Sequence, residues 1–467
     1  MKLTTPAPRT LLLKNALVLA TMDEERREIA DGAVLVRGPE IIAVGTIDEI
    51  EAAHHGPYYE VIDLSGHVLL PGLVNTHHHM FQSLTRATPA GQDAELFGWL
   101  TAHYPVWANI TPEMIHVSAV TAMSELVLSG CTTSSDHLYL YVNGSRLDDA
   151  ISAAERVGIR FHAARGAMTV GESKGGLPPD RIVEDEAAVL TEMQRLIETF
   201  HDPARFAMLR IVLAPCSPFT VSDDLMRESA MLARQHGVSL HTHLAENDND
   251  IRYSLDVYGK TPGQYVEDLG WVGPDVWHAH CVKLDDAAIS LFGRTGTGVA
   301  HCPCSNMRLA SGIAPIRQMR ATGVPVGLGV DGSASADSGH MLGEARQAML
   351  LARVGFGPQA MTAREALEIA TRGGAKVLNR DDIGQIAPGF AADLVAFDVR
   401  GLDFAGAQAD PLAALVFCTP GKVSLSVING RVVVRDGQLQ TIDLGRQVEA
   451  HNAASRLLMA KAGLASG

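Results

Sequence analysis

The chain has 467 residues, 46% of them hydrophobic and 19% charged, which is the balance of a compact globular enzyme and excludes a disordered or low-complexity protein. Its 38 basic and 53 acidic residues leave a formal charge of -15, which argues against nucleic acid or an anionic membrane as partner, since both require a basic face. No apolar run is long enough to span a bilayer, and the apolar stretch Leu11 to Leu19 is interrupted by Lys14 and Asn15, so neither a membrane segment nor a signal peptide is expected and a cytoplasmic location is. Six cysteines without a paired spacing read as buried free thiols, Cys302 and Cys304 included.

In chain order, short β-rich pieces come first: Leu11 to Ala20, Gly32 to Arg37, Ile41 to Gly45 and Val61 to Leu70. His54 and His55 fall in a polar turn among them and read as surface residues. A matching set returns late, at Ala392 to Val399 and Val423 to Arg435, the last with Asn429-Gly430 as a hairpin turn. The two ends therefore predict one β-sandwich, its halves at 1–70 and 386–440, with a large segment inserted at 71–385. A helical tail follows at 441–467.

Inside the insert the pattern changes. Apolar runs recur, each followed by a helical stretch: Val74 to His79, Cys131 to Tyr139, Ile159 to Arg165, Leu209 to Pro215, Val238 to His243, Val276 to Cys281, Gly298 to Cys302 and Val324 to Asp331. Strands covered on both faces lose the polar alternation, as these do. Eight β units alternating with helices predict an α/β fold, a (β/α)8 TIM barrel, with chemistry at the C-terminal strand ends. Thr362 to Glu365 reads as a capping box opening the helix after the eighth unit.

Those strand ends carry polar residues. His77 and His79 share a face by strand alternation, making half of a zinc site, and His78 points away. His241 and His243 share a face in the fifth run, with Glu246 just beyond. His280 ends the sixth and Asp331 the eighth. Four strands of one barrel thus end in groups that bind metal or move protons. Gly327-Leu-Gly-Val-Asp-Gly332 matches a dinucleotide fingerprint, but it lies in the last βα unit without the required acidic strand after it, and is read as coincidence.

The stretches PGLVNTHHH (71–79), HTHLAE (241–246), AHC (279–281), VDG (330–332) and IAPGFAADLVAFD (386–398) resemble the amidohydrolase superfamily, in its mononuclear-metal deaminase branch. Within it, Tyr104-Pro-Val-Trp107, Leu213 to Pro218, Ser305 to Gly312 and Gly329 to Ser335 are most similar to the 8-oxoguanine deaminases, neighbours of the isocytosine deaminases and the hydroxyatrazine ethylaminohydrolases. The resemblance implies His77, His79, His243 and Asp331 as ligands of one divalent metal, zinc before iron. It implies Glu246 and His280, with Asp331, as the proton-handling groups. The end of the fourth strand carries Ala214-Pro215 and no lysine, so no carbamate bridges a second metal. The implied reaction is hydrolytic deamination of an aminated purine-type heterocycle, 8-oxoguanine to uric acid and ammonia. The alternatives are isocytosine, guanine or an alkylamino-triazine as substrate, or a metal-binding scaffold without catalysis. A homo-oligomer is also implied. For substrate contacts, Gln82 comes first; Trp107 either stacks on the ring or packs in the core, and His137 is a further candidate. Arg86, Asn306, Arg308 and Ser335 lie near the strand ends.

Overall fold

The computed structural model describes residues 10–418 and 421–464. Strands β1 (Thr10–Ala20), β2 (Glu28–Arg37), β3 (Glu40–Thr46), β4 (Glu60–Asp63) and β5 (His67–Pro71) come first. The barrel strands are β6 (Leu73–Asn75), β7 (Cys131–Leu138), β8 (Arg160–Ala167), β9 (Leu209–Pro215), β10 (Ser239–Leu244), β11 (Val276–His280), β12 (Gly298–His301) and β13 (Val326–Leu328). After them come β14 (Leu394–Asp398), β15 (Leu425–Ile428), β16 (Arg431–Arg435) and β17 (Gln438–Leu439).

The eight middle strands close in sequence order into a parallel barrel, β13 completing the ring on β6 through Leu328 and Asn75. The predicted TIM barrel is therefore present, with every βα unit in its expected place. Several strands are shorter than their apolar runs. The first stops at Asn75 and the last at Leu328, so His77, His79 and Asp331 stand on the turns beyond the ladder.

The two chain ends build one nine-stranded sheet, ordered β17-β16-β15-β14-β5-β1-β2-β3 with β4 beside β1. Its halves join where β5 pairs antiparallel with β14, Val395 opposite Leu70. The sheet then curls on itself: the Ile41 N–H donates to the Phe390 carbonyl at 2.9 Å, and the Ala392 N–H to Pro39 at 2.7 Å. Leu13, Leu19, Val34 and Ile41 from one half meet Leu394 and Val427 from the other in a single buried core. The sandwich expected from the sequence is thus a continuous curled sheet. The run Val61 to Leu70 divides into β4 and β5 at the turn before Gly66, whose φ is +76°. A short helix, Ile47–Ala53, follows β3, opened by a capping box between Thr46 and Glu49. Asn429 and Gly430 form the predicted turn, with φ of +51° and +77°. The Thr362–Glu365 capping box is present, and the tail is a helix over Leu444–Lys461.

Sheet passes to barrel at Gly72. A Cβ there would lie 2.0 Å from the Thr132 hydroxyl of β7, so only glycine lets β5 lead directly into β6. That handover fixes the position of His77 and His79, five and seven residues later.

Candidate metal centre and active site

The first and last strand exits are stitched together by backbone hydrogen bonds. The Thr76 N–H donates to Leu328 at 2.8 Å and the Asp331 N–H to His77 at 3.1 Å, which sets the two side chains side by side. Ala245, His280 and Asp331 have φ of +51°, +69° and +61°. For non-glycine residues this conformation costs about 1–3 kcal/mol each, and here it occurs where side chains must turn toward the barrel axis.

Hydrogen bonds to carbonyl groups dictate the histidine tautomers, since a carbonyl oxygen can only accept. His79 Nδ1 lies 2.7 Å from the His137 carbonyl and His243 Nδ1 lies 2.6 Å from that of Cys216, so both carry their proton on Nδ1. His241 Nδ1 donates to Trp277 at 3.0 Å; its Nε2 must then accept from His77 Nδ1 at 2.8 Å. The result is three Nε2 lone pairs directed at one point. His79 and His243 Nε2 stand 3.0 Å apart with no proton between them, and His77 Nε2 is buried without a hydrogen-bond partner. Asp331 Oδ1 is 3.3 Å from His77 Nε2 and 3.4 Å from His79 Nε2. Lone pairs facing one another in a buried site repel, and a divalent cation between them removes the repulsion. Three neutral imidazoles and one carboxylate form a donor set suited to such an ion. Burial holds His77 well below the usual imidazole range and pushes His243 down to about 3, keeping both neutral.

Beside this cluster, His280 Nε2 lies 3.5 Å from Glu246 Oε2 and 3.8 Å from Asp331 Oδ2. Its Nδ1 faces the Asn306 amide oxygen at 2.9 Å. The Ser311 hydroxyl donates to Glu246 Oε1 at 3.2 Å, and Asp250 accepts the Glu246 N–H at 2.8 Å. Burial pushes Glu246 up to about 7, partly offset by His280. Burial lowers His280, but Glu246 and Asp331 reverse this and raise it above its ordinary value. A carboxyl poised near neutrality next to an imidazole of raised proton affinity can exchange protons with a bound molecule.

The cavity over these groups encloses about 490 Å³ of space, open mouth included. Its walls are mostly rings and apolar chains: Trp99, Leu100, Tyr104, Tyr139 and Phe219, with Gln82 as a polar contact. The Gln82 amide nitrogen donates to the Tyr139 hydroxyl at 3.1 Å. Gly332 makes room for that amide, because a Cβ on it would come within 1.8 Å of Gln82 Oε1.

Of the sequence candidates, His77, His79, His243, Glu246, His280 and Asp331 come together, and Gln82 and Ser335 line the same cavity. Trp107 does not. It is fully buried one layer behind the wall, its indole N–H donating to Thr85 at 3.1 Å and its ring edge-on to Phe81 and Trp99. Trp99 takes the wall position, and eight residues along one helix the two tryptophans could not be told apart from spacing alone. His137 is turned into the histidine cluster and does not line the cavity. Arg86 pairs with Glu125, and Arg308 binds the carbonyls of Gly91 and Gln92, so both brace loops. Asn306 and Asp250 contribute through His280 and Glu246, contacts that only the folded chain brings about.

The amidohydrolase family profile matches residues 68–433. The chain belongs to the amidohydrolase family. It is 44% identical to an 8-oxoguanine deaminase of Pseudomonas aeruginosa over 86% of this chain and 90% of that protein. It is 39% identical to a hydroxydechloroatrazine ethylaminohydrolase of Pseudomonas sp. (strain ADP), over 88% of each. Among solved structures, an atrazine chlorohydrolase of Arthrobacter aurescens TC1 complexed with zinc superposes with a TM-score of 0.90 at 34% identity, covering 95% of this chain and 100% of that one. The zinc in that amidohydrolase and the converging donors here agree on a divalent-metal site. Among the described residues no helix is long and apolar enough to cross a membrane.

Proposed function

We propose that the chain is a hydrolytic deaminase that converts 8-oxoguanine and water to uric acid and ammonia, with a divalent metal held by His77, His79, His243 and Asp331. The observation that carries this reading is the Glu246–His280–Asp331 group, with its shifted proton affinities, at the floor of a ring-lined cavity. Zinc is the ion favoured by three imidazoles and one carboxylate, ahead of iron. A bound divalent ion supplies Lewis acidity that brings the pKa of water toward neutrality.

The protein's own groups do the rest. Glu246 takes a proton from the attacking water and delivers it to the ring nitrogen next to the carbon that bears the amine. His280, held by Asn306 and raised in proton affinity by Glu246 and Asp331, stabilises the oxygen developing negative charge. Asp331 Oδ2 relays the second proton to the departing amine. Trp99, Tyr104 and Phe219 form the flat apolar walls that a heterocycle requires, and the Gln82 amide orients its polar edge. The free cysteines, four of them buried, suit the reducing cytoplasm.

The similarity to a hydroxydechloroatrazine ethylaminohydrolase gives a second reading, an alkylamino-triazine as substrate. Ammonia or amine release from 8-oxoguanine, guanine, isocytosine and a hydroxylated alkylamino-triazine, measured side by side, separates them. The highest kcat/KM is expected on 8-oxoguanine. Greater activity on the triazine would replace the first reading with the second, and turnover of none would remove both.

A further inference from the structure

Glu246, His280 and Asp331 come from three different strand exits, yet polar side chains of one short segment reach all three. The segment starts in the helix Pro303–Arg308, just after β12, and runs on to Ser311. The Asn306 amide oxygen accepts from His280 Nδ1 at 2.9 Å. The Ser311 hydroxyl donates to Glu246 Oε1 at 3.2 Å. Asp331 is reached through one intermediary: the Ser305 hydroxyl donates to that of Ser335 at 3.0 Å, whose own proton is shared between Asp331 Oδ2 at 3.3 Å and the Gly332 carbonyl at 3.1 Å. Ser305, Asn306, Ser311 and Ser335 are all buried.

The segment itself is held from both sides. The Cys304 N–H donates to Glu344 at 3.3 Å, and the Arg308 guanidinium donates to the carbonyls of Gln92 and Gly91 at 2.8 and 3.1 Å. Between Asn306 and Ser311 the chain turns through Ala310, at a φ of +54°, and the Ser311 N–H closes the turn on the Asn306 carbonyl at 2.9 Å. Such a conformation in a residue with a side chain persists only where its surroundings enforce it.

The terminal torsion of a glutamate is broad, and the two oxygens of its carboxylate are equivalent until a neighbour distinguishes them. Here one neighbour does. Oε1 is engaged by Ser311, while Oε2 stands 3.5 Å from His280 Nε2 and has no hydroxyl donor. We infer that the segment Ser305–Ser311 is the positioning clamp of the proton-handling groups, and that within it Ser311 selects Oε2 of Glu246 as the oxygen that takes and returns the proton. Ser311 is a positioning residue: it acts through Glu246. The inference rests on the role proposed above for Glu246 and is independent of which heterocycle is the substrate.

The decisive readout needs no substrate. In the infrared spectrum of the full, metal-loaded chain, the C=O stretch of protonated Glu246 is the carboxyl band that Glu246→Gln removes. With the proton on Oε2 the carbonyl oxygen is Oε1, so Ser311→Ala should move that band to higher frequency by taking away its donor. Ser311→Cys, whose thiol is a weaker donor, should move it the same way by less. A band that stays in place in either folded variant overturns the inference, because the proton then sits on Oε1 or the hydroxyl does not hold the group. In turnover, Ser311→Ala is expected to lower kcat by up to about 100-fold with KM little changed, the scale of a misplaced reacting group, and Ser311→Thr, which keeps the hydroxyl, to recover most of the loss. A raised KM with kcat intact would make Ser311 a substrate contact and overturn the clamp. If no heterocycle is deaminated the functional reading fails, while the position of the band still decides which oxygen Ser311 holds.

Discussion

Two buried polar clusters lie at opposite ends of the barrel strands and are built on opposite principles. At the N-terminal end of β8, Arg160 is fully buried and every guanidinium nitrogen is used: Nε and Nη2 reach the Asp393 carboxylate at 2.9 and 3.0 Å, Nη1 reaches the carbonyls of Phe206 and Ala207 at 2.7 Å, and Nη2 also meets Asn429 at 3.2 Å. Asp393 in turn accepts the Asn429 N–H at 2.7 Å. Nothing is left over, and the cluster ties curled sheet to barrel. At the C-terminal end, His77 Nε2, His137 Nδ1, Gln82 Oε1, Asp250 Oδ1 and Asn306 Nδ2 are buried without hydrogen-bond partners. Both clusters desolvate polar groups, but only the Arg160–Asp393–Asn429 cluster recovers the cost in hydrogen bonds. Unpartnered donors and acceptors gathered around one cavity are groups that an ion and a substrate can engage.

Changes at the open end should remove activity and spare the fold, and changes at the closed end should do the reverse. The largest effect is expected for Asp331→Ala, which strips the carboxylate from the proposed ligand set. Metal content by elemental analysis should fall well below one per chain and turnover should vanish; full metal content would break the assignment. Next comes Glu246→Gln. Loss of a positioned proton carrier typically costs about 10²–10⁴-fold, and kcat should drop by that much with metal content intact. Burial pushes Glu246 up to about 7, and it must be ionised before it can take a proton from water. In the parent enzyme kcat/KM should therefore rise with pH along an acid limb that ends at or below about 7, since a nearby cation lowers the midpoint. A profile flat down to pH 5 would remove Glu246 from the role of base.

At the closed end, Arg160→Ala leaves Asp393 buried and unpaired, a defect that typically costs about 3–5 kcal/mol. The thermal midpoint should fall sharply, while kcat per folded, metal-loaded molecule changes little. Equal loss of kcat would show the two ends to be coupled and the contrast to be wrong.

The open end was legible in the sequence because its chemistry is local. His77-x-His79 and His243-x-x-Glu246 each lie on one strand exit, so spacing alone brings the groups together. The barrel was legible for a similar reason: strands covered on both faces leave apolar runs, and β7 to β9 match theirs closely. What depends on contacts between distant segments was hidden. Whether Trp99 or Trp107 faces the cavity is set by how the helix Leu96–Trp107 lies on Phe81 and Phe219. The tautomer of His137 is set by a carbonyl 77 residues away. Arg160 gave no signal, since its partners come from three separate parts of the chain.

The smallest effect tests a group between these extremes. Glu344 is buried in the first turn of the helix Met341–Phe356, where its carboxylate accepts only the Cys304 N–H at 3.3 Å among backbone donors. Burial pushes it up to about 8, against 4.5 for the ordinary group. Below pH 4.5 it is protonated in both the folded and unfolded chain, and its contribution to stability is fully present. As pH rises from there toward 8, the unfolded chain releases the proton and the folded chain keeps it, so that contribution is lost progressively. Glu344→Gln keeps the shape and removes the titration. The variant should match the parent's thermal midpoint near pH 4.5 and exceed it by a few degrees at pH 8, read on metal-loaded protein. A constant offset at every pH would mean that the carboxyl does not hold its proton there and that Glu344, like Arg160, has found a full set of partners.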